Sequence, residues 1–398
     1  MKKVFTNRNL TGSTLVWVLL YLYKVFWLPG FRFNSNIWDD ENRFVSQVLG
    51  KSFLNNLFHR DAPGYWIFLN RIISWIDVSV FNNSAFAIRN VVIVMILFSS
   101  YFGAKLLCEF TGEIAPTTRN FYFIVLTVIP IEDLNYLHNV GYLFFLPIFW
   151  FILNARNFKI KKLIFLGLLI LILLNKPIVA LLTIVLVIVT YLNLRKKVSK
   201  EYKIFLISIA FYSFIYLIVY FVLPHEWDTP VTRNTSFVFP AFANFPFLLA
   251  SIIFPSIYIG ALGFLIKFKL SSIIWVFGIG IYLVPILILF LAFFKKKLPA
   301  IRDRLVLLIL GLLGTEYLSV YSLSNSYWIT KFPLWNIQVP QHLFMRWSAL
   351  FPYLGIFFIG RIFSVSNRNT YFKVLMLFIM IQNILLSILA HNFLIRYW

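Results

Sequence analysis

Residues 87–107 read "AIRNVVIVMILFSSYFGAKLL", an apolar run with a cation near each end. A helix of that length rises about 30 Å, the thickness of a bilayer's hydrocarbon core. Runs near this length recur from one end of the chain to the other. Alternating ten-residue strands of the barrel type are absent, so helices are the spanning form predicted. The sequence is 61% apolar and 13% charged, against about 25% charged in soluble domains. The fold predicted is all-α, a polytopic transmembrane helical bundle.

Basic residues orient it. Lys and Arg number 36 against 14 Asp and Glu, a net charge of +22. The cations cluster in short loops between apolar runs. That is the positive-inside pattern with lipid headgroups as counter-charges, so membrane lipids and no nucleic acid are the partners expected. Lys2, Lys3 and Arg8 put the N-terminus in the cytoplasm. The apolar core after them lacks a small-residue cleavage site and reads as a retained first span. Further inside markers are Lys105, the Arg156–Lys162 group, Arg195–Lys197, Lys295–Lys297 with Arg302 and Arg304, and Arg361 with Arg368.

Spans that satisfy them are about 12–30, 86–107, 119–133, 141–156, 162–175, 177–193, 203–223, 272–294, 304–322, 343–363 and 371–391. That makes about 11 spans in the plasma membrane, with the C-terminus outside. Residues 243–266 are apolar enough to cross, but counting them would put Lys295–Lys297 outside. Pro246, Pro255, Gly260 and Gly263 suit a re-entrant or interfacial segment there.

The whole of residues 1–398 reads as one integral-membrane domain: a first outer loop at 31–85, core spans at 86–223, and C-terminal spans with outer loops at 224–398. No stretch between spans is long enough for a soluble catalytic domain, and no P-loop or Gly-rich nucleotide fingerprint occurs. Cys108 is the single cysteine, which excludes a disulfide framework and a thiolate metal site. Any chemistry falls to loops and helix ends at the membrane surface. In the first outer loop, "ENRFVSQVLGKSFLNNLF" (41–58) sets Phe44, Val48, Leu49, Phe53, Leu54, Leu57 and Phe58 near one face, a juxtamembrane amphipathic helix.

The few acids are unevenly shared. Nine of the 14 fall outside on this topology: Asp39, Asp40, Glu41, Asp61, Asp77, Glu132, Asp133, Glu226 and Asp228. Acids hardly influence insertion, so their gathering points to acid–base or metal chemistry on the outer face. "WDDENRF" (38–44) places three side by side. They also suit a helix start, with Asp39 as N-cap, and the two roles are compatible. "IEDLNYLHN" (131–139) supplies Glu132, Asp133 and His138, which equally fit a solvated turn. "LPHEWDTP" (223–230) adds His225, Glu226 and Asp228, oxygen-rich ligands of the kind Mg or Mn takes, though any acidic loop offers these. Glu316 lies inside a span, where an ionisable group is either functional or hydrogen-bonded to a neighbouring helix.

Four local patterns occur in order. "DENRF" (40–44) follows the first span. "HRDAPGYWIFLNRI" (59–72) precedes a span opening with Arg89. "LLILLNKPIVALLTIVLV" places Lys176 and Pro177 between two apolar halves. "MRWSALFPYLGIF" (345–357) carries Arg346 and Pro352. Together they resemble the GT-C class of integral-membrane glycosyltransferases, the group that includes protein O-mannosyltransferases and the lipid A aminoarabinose transferase. Gly64 stands where the class commonly has a second Pro, and Trp347 where Tyr is usual.

The resemblance implies transfer of a sugar from a polyprenyl-phosphate donor, with inversion, to a cell-envelope glycan, lipid or protein at the outer face. It implies a catalytic base or metal ligand at Asp40, with Asp39 and Glu41 beside it. His59, Asp61, Glu132, Asp133 and His138 would contact substrate or metal. Arg346, Lys176, Arg89 and Lys331 would hold the lipid phosphate, although cations at helix ends also snorkel without further role. A polysaccharide polymerase or ligase is the first alternative, but its late outer loop (323–342) would carry more cations than Lys331 with His342. A lipid-linked sugar flippase is the second; it would show repeated spans and several midplane charges, and no repeat is found.

Overall fold

The computed structural model describes residues 7–27, 52–58, 68–82, 86–129, 141–174, 176–194, 199–222, 303–323 and 350–397. Every regular element among them is helical. In chain order the α-helices are α1 (Asn7–Trp27), α2 (Phe53–Phe58), α3 (Phe68–Val80), α4 (Phe86–Thr111), α5 (Pro116–Val128), α6 (Phe145–Asn154), α7 (Ile160–Leu173), α8 (Pro177–Leu194), α9 (Lys200–Val222), α10 (Arg304–Leu323), α11 (Phe351–Val365) and α12 (Asn369–Tyr397). Two are long and apolar enough to cross a membrane, Phe86–Thr111 and Lys200–Val219. Thr14–Val25, Pro177–Leu192 and Phe351–Val365 are shorter apolar helical stretches.

Local chemistry sets the boundaries. Proline sits in the first turn of α5, α8 and α11, where its fixed φ suits the helix and its missing N–H breaks no bond. Helix α4 stops at Gly112, whose φ of 73° is open to glycine. Helix α11 ends in a Schellman turn: Asn367 takes φ 56°, its N–H donates to Ser364 O, and Arg368 N–H donates to Phe363 O.

Two expectations are corrected. Residues 141–156 are not one uniform span: a 3-10 turn at Gly141–Phe144 precedes α6, and a second at Ala155–Asn157 follows it. The span expected at 86–107 runs four residues further. Thr111 Oγ1 donates to Leu107 O at 2.8 Å, and Thr111 O accepts from Ser364 Oγ and Asn369 Nδ2, so hydrogen bonds carry the helix past the polar Glu109. Residues 243–266 and 272–294 lie outside the described residues.

Helix α4 is the centre of the bundle. It packs against α1, α3, α5, α6 and α11. Close approach relies on small residues: a Cβ on Gly103 would sit 3.1 Å from Leu126 Cδ1, and one on Gly360 would sit 2.9 Å from Phe372 Cζ and 3.0 Å from Leu107 Cδ1. Val92, Ile93, Leu106, Phe110, Phe145 and Phe149 are among the buried core side chains here.

Polar contacts define a lower end of the bundle. Glu109 accepts hydrogen bonds from Trp150 Nε1 at 2.8 Å and Asn154 Nδ2 at 2.9 Å. Arg361 pairs with Asp303 at 2.6 Å and donates from Nη1 to Phe110 O at 3.0 Å. Lys373 pairs with Glu113 at 2.9 Å, and Tyr202 donates to Ile152 O. The opposite termini of the same helices, at Phe86, Ile129, Gly141, Leu174, Val222, Leu323 and Leu350, form the upper end. Val222 and Asp303 therefore lie at opposite ends.

Candidate functional site

The two ends differ in what connects them. Lower connections are short: residues 112–115, 155–159, 195–199 and 366–368. The upper end is where residues 28–51, 59–67, 130–140 and 324–349 each leave the described helices and return to them. Those intervals contain Asp39, Asp40 and Glu41; His59 and Asp61; Glu132, Asp133 and His138; and Lys331 with Arg346. These ten residues themselves lie outside the described residues, as do His225, Glu226 and Asp228, whose interval leaves from Val222. What can be described is the platform to which all of these intervals attach.

That platform is polar inside an apolar bundle. Lys176, in the joint between α7 and α8, is fully buried, with Nζ 4.9 Å from the Tyr142 ring centroid. A cation over an aromatic face keeps its charge stabilised away from water. Arg71 on α3 is also fully buried, and Lys24 near the end of α1 is 4% exposed. Helix α3 packs on both α4 and α7. Arg89, the fourth candidate cation, lies in the first turn of α4 at this end.

Neighbouring polar groups hold the backbone. Asp77, buried, accepts a hydrogen bond from Ala87 N–H at 2.8 Å and so caps the start of α4, ten residues on. Tyr21 donates to Asn90 Oδ1, and Asn90 Nδ2 donates to Phe86 O at 2.7 Å, joining α1 to the same helix start. Asp77, one of the nine outward acids of the sequence reading, is thus a capping residue.

Glu316 also belongs to this half. It is fully buried on α10, facing the N–H groups of Leu350 and Phe351 at the start of α11. Neither closes a hydrogen bond of normal geometry, and its carboxyl has no other hydrogen-bond partner among the described residues. Those N–H groups belong to the neighbouring helix, the side on which the sequence reading placed a hydrogen-bonding role for Glu316. The helix dipole still favours a carboxylate at that position.

Sequence reasoning passed over Arg71, although "HRDAPGYWIFLNRI" contains it. The signal was available: Arg71, Ser74 and Asp77 recur at three-residue spacing, one face of a helix, and all three are buried. The stripe therefore lies on the buried face of a short helix and not on a solvated one. Among the described residues no group of three His, Cys, Asp or Glu is arranged to hold a metal. Comparison with known proteins finds no family model, curated protein or solved structure that matches this chain.

Proposed function

We propose that the chain is a polytopic membrane glycosyltransferase of the GT-C kind, with its helices crossing the plasma membrane and its chemistry at the upper, outer end. The observation that carries this reading is a coincidence of place. The buried cation Lys176 belongs to the end from which every interval bearing a candidate acid departs, and Arg71 is buried on α3, the helix whose Asp77 caps the start of α4 there. Stripes of exposed Leu, Ile and Phe along α1, α7, α9 and α12 support the membrane setting, since such faces need a nonaqueous surround.

The chemistry assigned is an inverting displacement. A carboxylate at Asp40 takes the proton of the acceptor hydroxyl as that oxygen bonds to the anomeric carbon. The bond from that carbon to the carrier's phosphate oxygen breaks, and its electron pair stays on the polyprenyl phosphate. That leaving group needs fixed positive charge rather than a proton donor, which is the role given to Lys176 and Arg346, with Arg89 and Lys331 as further cations. Asp39 and Glu41 flank the base. His59, Asp61, Glu132, Asp133 and His138 are assigned to the sugar and acceptor. A Mg or Mn ion bound by the outer acids would supply additional charge neutralisation at the phosphate.

Donor identity tests the reading. The purified protein in lipid should transfer sugar from a polyprenyl-phosphate sugar and leave a nucleotide sugar untouched. Direct transfer from the nucleotide sugar would refute the assignment.

A further inference from the structure

At the lower end, α6, α7 and α9 meet in a corner that the transfer chemistry does not use. Tyr202 at the start of α9 donates to Ile152 O on α6, and α9 packs along α7, so the first turns of α7 and α9 lie side by side. Exposed there are Arg156, Lys159, Lys161, Lys162 and Lys200. Glu201 is the acid exposed among them. Glu109, also at this end, is already engaged by Trp150 and Asn154. The corner is a concentrated positive patch on the described surface.

What adjoins the patch identifies its partner. Directly above it on α7, Ile164, Phe165 and Leu168 are each more than half exposed. On α9 the same holds for Ile207, Phe211 and Phe214. An acidic protein segment would satisfy the cations and leave this apolar surface uncovered. A phospholipid presents an anionic headgroup joined to acyl chains, the same order of chemistry along the same axis.

We propose that this corner binds anionic phospholipid of the inner leaflet, with Arg156, Lys159, Lys161 and Lys162 holding the headgroup and the α7 and α9 stripes meeting its chains. The inference rests on the membrane setting proposed above and is independent of the glycosyl-transfer reading.

The test reconstitutes the full chain in vesicles of phosphatidylcholine with and without phosphatidylglycerol, then measures lipid retained after mild detergent extraction. The protein should retain phosphatidylglycerol over phosphatidylcholine by about tenfold or more, as expected for several Lys and Arg near a headgroup. In the combined variant R156Q, K159Q, K161Q, K162Q that preference should fall to within about twofold. A control variant, K2Q, K3Q, R8Q, should keep it. Equal retention of both lipids by the unmodified protein overturns the proposal, and so does equal loss in the control, which would reflect net charge alone. Displacement of the lipid by an acidic peptide such as polyglutamate would assign the corner to a protein partner and also overturn it. Flotation separates the two levels. A chain that floats with phosphatidylcholine but shows no headgroup preference refutes the lipid site alone, whereas a chain that floats with neither vesicle refutes the membrane setting as well.

Discussion

The two ends of the bundle solve opposite problems with the same residue types. At the lower end Arg361 has Asp303 and Phe110 O, Lys373 has Glu113, and Glu109 has Trp150 and Asn154. The loops there are short, and these charges have partners. At the upper end Lys176 is taken wholly out of water, and beside the short joints at 81–85 and 174–176 the intervals 28–51, 130–140 and 324–349 are longer. Burying a cation costs several kcal/mol unless its surroundings are built for it. The lower end is arranged as stability would arrange it. The upper end keeps a buried cation, Lys176, which the proposed reading assigns to an anionic reactant.

The largest effect expected is all-or-none. Reporter fusions at residues 160, 196 and 296 should read cytoplasmic and those at 50, 228 and 335 external, separating the two ends by a membrane. A cytoplasmic signal at 335 with an external one at 228 would break the comparison and remove Arg346 from the site.

Next is the division of labour. Lys176→Met keeps the side chain's length and removes its charge; transfer from the lipid donor should drop about 10²–10³-fold. Its thermal midpoint should stay within about 4 °C. Arg361→Ala should do the reverse. It strands Asp303 and the Phe110 carbonyl, part-buried groups, and should cost about 2–3 kcal/mol of stability while transfer per folded molecule is unchanged. Denaturation and transfer assays on both variants decide whether the ends are as distinct as described. Loss of transfer alone in Arg361→Ala would place function at the lower end too.

The smallest effect concerns the packing that joins the ends. Gly360→Ala forces a Cβ to 2.9 Å from Phe372 Cζ and should destabilise by about 1–3 kcal/mol. Gly311→Ala meets nothing within 4 Å and should change stability by less than about 1 kcal/mol. A midpoint comparison in detergent checks both, and equal effects would mean that the α4–α11–α12 contact is looser than described.

Much of the architecture was legible because apolar run length governs it. The runs at 86–107, 177–193, 203–223 and 304–322 each coincide with a helix to within a few residues. Boundaries set by hydrogen bonds rather than hydropathy were not legible. The extension of α4 to Thr111 depends on caps from Ser364 and Asn369, far away in sequence. The start of α5 at Pro116, ahead of the expected 119, reflects proline's fit to a first turn. In the site, Lys176 was visible from its place between two apolar halves. Arg71 was not, because a short helix with one cation reads as a surface helix until its three-residue polar stripe is noticed. Asp77 looked like part of an outer acidic group, and only its bond to Ala87 N–H, ten residues on, identifies it as a cap.

The most direct test of the upper end as the seat of transfer compares Asp40→Asn, Asp39→Asn and Glu41→Gln in one assay with the polyprenyl-phosphate sugar donor. All three sit in the same short acidic run, so each would lose only about 1 kcal/mol if the run merely capped a helix. The account predicts that Asp40→Asn alone slows transfer by roughly 10²–10⁴-fold, as loss of a general base does, with lipid-donor binding retained. Equal and mild losses in all three would contradict it, leaving the acidic run a cap and moving the search for the base to Glu132 and Asp133.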